Sequence, residues 1–207
     1  MLETLARTGL CAIIRCPQAG FAADIGRTLL ANGVEVLEVS LTTPDAIEAI
    51  EQLTAIASRD HDRAWVGAGT VLTRQDLQSV VAVGARFTVT PAACEAVSAS
   101  IDAGVPVLAG AWTPSEVLAA HLAGATAVKV FPASSGGPGH LKAVREPLPQ
   151  VPLVAVGGVS LVDVTSYRAA GALAVGIGSP LIGDAATGGS LDDLAVRATR
   201  FVEACRP

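Results

Sequence analysis

A lysine lies in the middle of a short apolar run, Thr126-Ala-Val-Lys-Val-Phe-Pro-Ala133. Side chains alternate along a β-strand, so Lys129 should face one side while Val128 and Val130 face the other. Burying an ammonium is costly, which favours the neutral amine, and a desolvated lysine amine forms Schiff bases with carbonyl compounds. The alternative is a strand-end lysine whose ammonium reaches solvent. We favour the nucleophile, because charged residues make up only 16% of the chain and the one other lysine, Lys142, lies in a polar helical setting.

Two further charged residues lie in or beside apolar runs. Glu38 lies within Val36-Leu-Glu-Val39, where an unpaired carboxylate would be costly. We interpret Glu38 as a catalytic group because perturbed titratable groups cluster at functional sites, the alternative being a buried salt bridge with Arg15 or Lys129. Arg15 ends an Ile-Ile run, and its planar guanidinium could hold a substrate carboxylate or form a structural ion pair. The residues alone leave both possibilities open for Arg15.

Glycine-rich turns follow three of the apolar runs. Gly67-Ala-Gly-Thr70 lets the backbone approach a ligand and offers a hydroxyl, but alone it is a weak signal. Gly157-Gly158 and Gly176-Ile-Gly-Ser179 follow the last two runs, and free N–H groups in such turns attract anions. The alternative is that these glycines only end strands tightly. Two such turns in consecutive final units favour a phosphate site at Gly157, Gly158, Gly178 and Ser179.

Eight apolar β-like runs, each followed by a helix-like stretch, must position these residues. The predicted strands are 10–15, 34–40, 64–69, 86–90, 105–109, the lysine run, 152–156 and 173–177. The predicted helices include 18–32, segments from about Pro44, from Thr73, after Pro91 and from Thr113, and 192–204. Glycines expected to end helices before the next strand are Gly33, Gly84, Gly104, Gly124 and Gly171.

Eight such units are the number that closes a TIM barrel, so we predict one α/β domain over residues 1–207, a single compact (β/α)8 barrel. The alternative is an open doubly wound sheet, which usually has about five or six strands. Active sites of barrels lie at the carboxyl ends of the strands. The polar residues predicted at those ends are Arg15, Glu38, Ser40, Thr70, Thr90 and Lys129.

Composition excludes several classes of function. The chain is 51% hydrophobic, yet no stretch of 18 residues lacks both charges and helix breakers, so no transmembrane helix is expected. A net charge of −5 without basic clusters argues against nucleic acid. The spacing of Cys11, Cys16, Cys94 and Cys205 suggests neither a metal site nor a disulfide framework. The N-terminus reads as an amphipathic turn rather than a signal peptide, so we expect a cytoplasmic protein.

Four motifs together resemble the 2-keto-3-deoxy-6-phosphogluconate (KDPG) aldolase family, which includes 4-hydroxy-2-oxoglutarate (KHG) and 2-keto-3-deoxy-6-phosphogalactonate aldolases. They are Gly67-Ala-Gly-Thr-Val-Leu72, Val128-Lys-Val-Phe-Pro-Ala133, Glu38 in Val-Leu-Glu-Val, and Val156-Gly-Gly-Val159. The resemblance runs through nearly the whole chain. It implies a homotrimeric class I aldolase on a TIM barrel that needs no metal or other cofactor and acts on a phosphorylated keto acid.

The resemblance also implies roles for individual residues. Lys129 corresponds to the Schiff-base lysine, Glu38 to the proton-transfer glutamate and Thr70 to the threonine that contacts pyruvate. The implied substrate-binding residues also include Pro91 and Phe131, and the phosphate loops correspond to Gly157-Gly158 and Gly178-Ser179. Thr42 stands where the phosphogluconate enzymes usually carry an arginine, whereas Arg15 and the segment 134–142 look more like the phosphogalactonate branch.

The resemblance implies cleavage of a 2-keto-3-deoxy-6-phospho sugar acid to pyruvate and glyceraldehyde 3-phosphate, with 4-hydroxy-2-oxoglutarate as a further candidate substrate. Arg15 and Thr70 would hold the substrate carboxylate. A phosphosugar isomerase or epimerase with Glu38 as base is the rival enzyme, and it would not need Lys129 as a nucleophile. A phosphate-metabolite binding protein on the same barrel is the rival without catalysis.

Overall fold

The computed structural model describes residues 1–206 and shows eight parallel strands closed into a barrel, in sequence order. The strands are β1 (Leu10–Ile14), β2 (Val36–Ser40), β3 (Trp65–Gly69), β4 (Thr88–Val89), β5 (Val107–Ala111), β6 (Ala127–Val130), β7 (Leu153–Val156) and β8 (Ala174–Ile177). The closed sheet confirms the predicted α/β barrel and rules out the open doubly wound alternative.

Ten α-helices occur within residues 1–206. They are α1 (Leu2–Thr8), α2 (Ala22–Ala31), α3 (Ala46–Asp60), α4 (Arg74–Ala82), α5 (Glu95–Asp102), α6 (Pro114–Ala123), α7 (Gly137–Arg145), α8 (Val164–Ala169), α9 (Ser179–Ile182) and α10 (Leu191–Cys205). None of these helices is both long enough and apolar enough to cross a membrane. The five glycines expected to end helices all have positive φ, between 67° and 104°, a conformation that glycine adopts without a Cβ penalty.

The strands are buried on both faces, and most of their alternating side chains belong to two separate cores. Outward side chains such as Ile14, Leu37 and Val128 pack against the helices. Inward side chains such as Ile13, Phe87 and Leu108 fill the barrel. Lys129 lies on the inner face while Val128 and Val130 face the helices, which confirms the prediction that they face opposite sides.

The amino-terminal end of the barrel is closed by α1. This segment forms a helix of two turns rather than the single turn expected from the sequence. Its Leu5 is fully buried and joins the inner core beside Cys11. The helix ends at Gly9, which has φ 67°, and a Cβ there would clash with the carbonyl oxygen of Cys205.

Several predicted boundaries differ from the observed ones, and local chemistry explains two of them. β5 begins at Val107 instead of Val105, because Pro106 has no N–H to donate to a ladder; its carbonyl only accepts from Thr88. α2 begins at Ala22 instead of about residue 18, because the chain turns at Gly20, which has φ 93° and donates its N–H to Asp45 Oδ2. The loop before α2 therefore stays near the carboxyl end of the barrel.

Candidate active site

A cavity of about 200 Å³ opens at the carboxyl ends of the strands. Eight of the ten predicted site residues line it: Arg15, Glu38, Lys129, Phe131, Gly157, Gly158, Gly178 and Ser179. The remaining lining residues are Ile13, Val156, Val159, Gly176 and Pro180. A cavity of about 440 Å³ lies beside the Arg7–Glu35 ion pair, where no such convergence of nucleophile, carboxylate and glycine loops occurs.

Lys129 reaches the cavity from β6. The residue is only 6% exposed, and its Nζ lies 4.9 Å from the centroid of the Phe131 ring. Within residues 1–206, Nζ makes no hydrogen bond or salt bridge, so no other protein group holds this nitrogen in place. Lys142, in contrast, is exposed on α7. Lys129 is thus an enclosed amine that faces open space.

Glu38 reaches the same cavity from β2 and is 2% exposed. Its carboxylate occupies the space that a side chain on Gly69 would need, since a Cβ there would lie 2.3 Å from Glu38 Oε1. Burial raises the pKa of Glu38, an effect that the nearby charges of Lys129 and Arg15 partly offset. In the described part of the chain Glu38 forms no salt bridge, so the alternative of a buried ion pair with Arg15 or Lys129 is wrong. A raised pKa suits a group that both takes and returns a proton.

A chain of hydrogen bonds joins Arg15 to three hydroxyl residues at the carboxyl ends of β2 and β3. Arg15 Nε donates to Ser40 Oγ over 3.4 Å. Ser40 Oγ also lies 2.8 Å from Thr42 Oγ1 and 2.9 Å from Thr70 Oγ1. Thr70 has φ 58°, the only positive value for a residue other than glycine within residues 1–206, and a β-branched residue rarely adopts it. Thr70 does not line the cavity itself, but this network ties its hydroxyl to Arg15, which does.

The two glycine loops border the same cavity. A Cβ on Gly157 would meet the Phe131 ring at 2.9 Å, and one on Gly158 would meet Ser134 Oγ at 2.3 Å. Short helix α9 begins at Ser179, directly after Gly178. No protein acceptor within residues 1–206 takes up the N–H groups of Gly158 and Ser179. Such free donors suit an anion, as the sequence predicts for these loops.

Pro91 lies outside the cavity lining. Its backbone carbonyl packs against Gly110, where a Cβ would come within 2.3 Å of the Pro91 oxygen. The buried Thr90 hydroxyl fixes this turn, since it donates to the Ala92 carbonyl over 2.9 Å and accepts the Gly110 N–H over 3.1 Å. A direct contact of Pro91 with substrate therefore stays a prediction from the resemblance.

The sequence indicates Ser40 only as one of several polar residues at the ends of strands. It does not predict that Ser40 is hydrogen-bonded to both Arg15 and Thr70. It also missed Gly69 as the residue that makes room for Glu38. A signal existed for Gly69, because the alternation in Gly67-Ala-Gly69 places both glycines on the inner face beside β2. Among residues 1–206 no group of three His, Cys, Asp or Glu side chains could hold a metal ion.

Comparison with known proteins places this geometry in a family. Residues 2–193 match the family described as KDPG and KHG aldolase. A relative from Rhizobium meliloti (strain 1021), named "Probable 2-dehydro-3-deoxy-6-phosphogalactonate aldolase", is 35% identical over 90% of this chain and 88% of its own. A solved structure described as native KDPGal is 32% identical, covers 94% of this chain and 93% of its own, and has a TM-score of 0.85.

A second solved structure bears on the chemistry. It is KDPG aldolase from Legionella pneumophila with pyruvate captured as a covalent carbinolamine, 29% identical over 99% of this chain and 95% of its own, with a TM-score of 0.77. The family match covers nearly the whole chain, and the relatives align over most of their own lengths. The chain therefore belongs to the KDPG and KHG aldolase family of lyases.

Proposed function

We propose that this protein is a class I aldolase that cleaves a 2-keto-3-deoxy-6-phospho sugar acid to pyruvate and glyceraldehyde 3-phosphate. The observation that carries the proposal is the convergence of the buried amine of Lys129 and the buried carboxylate of Glu38 on one cavity. An isomerase or epimerase would leave this enclosed lysine without a role, and a binding protein would have no need for either buried group. Neither rival is favoured.

The first steps use Lys129. Its unprotonated amine adds to the C2 ketone to give a carbinolamine, and loss of water with uptake of one proton leaves an iminium. The positively charged iminium then accepts the electron pair released when the C3–C4 bond breaks. The covalent bond to the protein thus supplies the electron sink, and the cleaved aldehyde leaves while pyruvate remains as an enamine.

The proton steps use Glu38. The carboxylate takes the proton of the C4 hydroxyl, directly or through a water, as the C3–C4 bond breaks. The same proton then goes to C3 of the enamine, and water releases pyruvate and regenerates the amine. One group can perform both transfers when its pKa lies near the working pH, and the burial of Glu38 raises its pKa in that direction.

The ends of the substrate carry negative charge, and the mouth of the cavity offers a donor group for each. We assign the substrate carboxylate to Arg15 and Thr70, and the distal phosphate to the loops of Gly157-Gly158 and Gly178-Ser179. Phe131 would pack beside the reacting carbons, and Pro91 would border them. Arg15, together with Thr42 in place of an arginine, favours the phosphogalactonate epimer, as in the branch that the sequence resembles.

An assay of pyruvate release tests the proposal. We expect cleavage of 2-keto-3-deoxy-6-phosphogalactonate and slower cleavage of the phosphogluconate epimer and of 4-hydroxy-2-oxoglutarate. EDTA should leave the rate unchanged, because the iminium supplies the electron sink that a divalent ion would otherwise provide. Failure to release pyruvate from all three compounds would reject the aldolase assignment, and a loss of rate on chelation that a metal restores would reject the mechanism.

A second prediction concerns Arg15. If its guanidinium holds the substrate carboxylate, Arg15→Ala should weaken pyruvate binding by roughly tenfold or more, the size of a lost hydrogen bond to a charged group. Arg15→Lys should also weaken it, since an ammonium lacks the two-pronged geometry of the guanidinium. Titration of pyruvate at constant pH measures both. Unchanged affinity with a lower melting temperature would mean that Arg15 is a structural residue only.

We also propose that the protein is a cytoplasmic homotrimer, as the family resemblance implies. Light scattering after gel filtration should then give three times the chain mass of 20.8 kDa. A mass equal to that of one chain would contradict the trimer.

A further inference from the structure

Ser40 lies at the centre of the hydrogen-bond network beside the cavity. It ends β2, it is fully buried, and its Oγ has three partners, namely Arg15 Nε, Thr42 Oγ1 and Thr70 Oγ1. None of these bonds involves a backbone group, so they are not needed to complete a strand or a helix. The network instead joins side chains from the ends of β1, β2 and β3.

The chemistry of a hydroxyl limits how these bonds can run. A serine hydroxyl has one proton to donate and two acceptor positions. Arg15 Nε can only donate, so it takes one acceptor position of Ser40. Ser40 then has one proton and one acceptor position for two threonines. One threonine must therefore accept from Ser40, and the other must donate to it.

A bound carboxylate decides between the two arrangements. An ionised carboxylate has acceptors only, so a hydroxyl that binds it must supply the proton. If Thr70 donated to Ser40, its single proton would already be used. If Thr70 accepts from Ser40, its own proton is free for the carboxylate, and Thr42 donates to Ser40 instead.

We propose that Ser40 is a positioning residue that orients Thr70 and Arg15 toward the substrate carboxylate, with the Ser40 proton directed to Thr70. This inference rests on the proposed function, because it assumes that a carboxylate binds at Arg15 and Thr70. The Arg15 Nε bond turns that edge of the guanidinium toward Ser40 and leaves the other donors for the ligand. The Thr70 bond holds a hydroxyl whose backbone, at φ 58°, is in a conformation that threonine rarely adopts.

Substitutions at Ser40 test the proposal. Ser40→Ala removes the acceptor for Arg15 and the donor to Thr70, so we expect the pyruvate Kd and the substrate KM to rise by tenfold or more while kcat falls only a few-fold. Ser40→Thr keeps the hydroxyl and should restore most of the affinity. Ser40→Cys keeps nearly the volume of serine but bonds weakly, so it should behave like Ser40→Ala with less disturbance of the packing.

Ser100 provides a matched control. It is also fully buried, and its Oγ lies 2.9 Å from the hydroxyl of Thr88, but it lies on α5 away from the cavity. Ser100→Ala should lower the melting temperature through the loss of a buried hydrogen bond and leave the pyruvate Kd unchanged. A structural role for Ser40 would make its variants resemble Ser100→Ala, whereas a positioning role changes KM and Kd.

A double-mutant cycle with Thr70→Val tests whether Ser40 acts through Thr70. The effect of Ser40→Ala on pyruvate Kd should be smaller in the Thr70→Val background, because Ser40 then has no Thr70 hydroxyl to which it can donate its proton. Pyruvate Kd within twofold of wild type in both Ser40→Ala and Ser40→Cys, or a Ser40→Thr variant as weak as Ser40→Ala, would overturn the proposal. In either case a wild-type protein that pyruvate and borohydride label at Lys129 would show that the aldolase assignment itself stands.

Discussion

Lys129→Ala should abolish aldol cleavage while the barrel remains folded. The amine is the group that would form the covalent bond to substrate, and no other lysine lies in the cavity. Loss of the nucleophile removes the electron sink, so the rate should fall to that of the background reaction. The measurements are pyruvate release, the circular dichroism spectrum, and the mass of the protein after incubation with pyruvate and borohydride.

Lys142→Ala is the matched control for Lys129. Lys142 is the only other lysine of the chain and is exposed on α7. This variant should keep its activity and still gain the mass of one reduced pyruvate adduct, which peptide mapping should locate at Lys129. An adduct at Lys142, or cleavage that persists in Lys129→Ala, would remove the central assignment.

Glu38→Gln should lower the rate of cleavage but raise the stability of the folded protein at pH 8. The amide keeps the shape of the side chain but cannot take the C4 hydroxyl proton, so we expect cleavage to fall by about a hundredfold or more. Formation of the imine with pyruvate should persist, so borohydride should still label Lys129. Turnover near that of wild type would mean that another group or a water carries the proton.

The stability of Glu38→Gln should depend on pH, and its sign follows from the raised pKa of Glu38. Because burial favours the protonated acid, the folded protein holds its proton to a higher pH than the unfolded chain does. The stability that this proton contributes is complete below the unfolded pKa and is lost as pH rises through the folded pKa. Glutamine has no charge to bury, so the variant should match wild type near pH 4 and melt at a higher temperature than wild type at pH 8. A lower melting temperature at pH 8 would mean that the charges of Lys129 and Arg15 stabilise the ionised carboxylate more than burial destabilises it.

The barrel could be predicted from the sequence because two local patterns, the repeated strand-like and helix-like segments and the glycines between them, indicate the same fold. Eight apolar runs alternate with amphipathic stretches, and the five glycines between helix and strand have the backbone conformation that the pattern requires. The prediction that Lys129 faces the side opposite to Val128 and Val130 also followed from alternation alone. Such features depend on residues close together in the sequence, so they can be inferred without knowing which strands are neighbours.

Other features depend on contacts between strands and could not be predicted in this way. The bonds of Ser40 require the registers of β1, β2 and β3 together with the left-handed backbone of Thr70. The absence of a salt bridge at Glu38 could not be predicted from the sequence either, since Arg15 and Lys129 share its cavity without bonding to it.

Three glycines on the inner face of the barrel each lie beside a larger side chain. The space beside Gly67 is filled by Phe87, that beside Gly69 by Glu38, and that beside Gly176 by Val156. Each of these spaces holds only one side chain. Gly69→Ala would therefore displace the Glu38 carboxylate, although Glu38 itself is not substituted. In directed evolution of this barrel, useful variants of Glu38 should therefore arise together with changes at position 69, and libraries that vary the two positions separately should miss them.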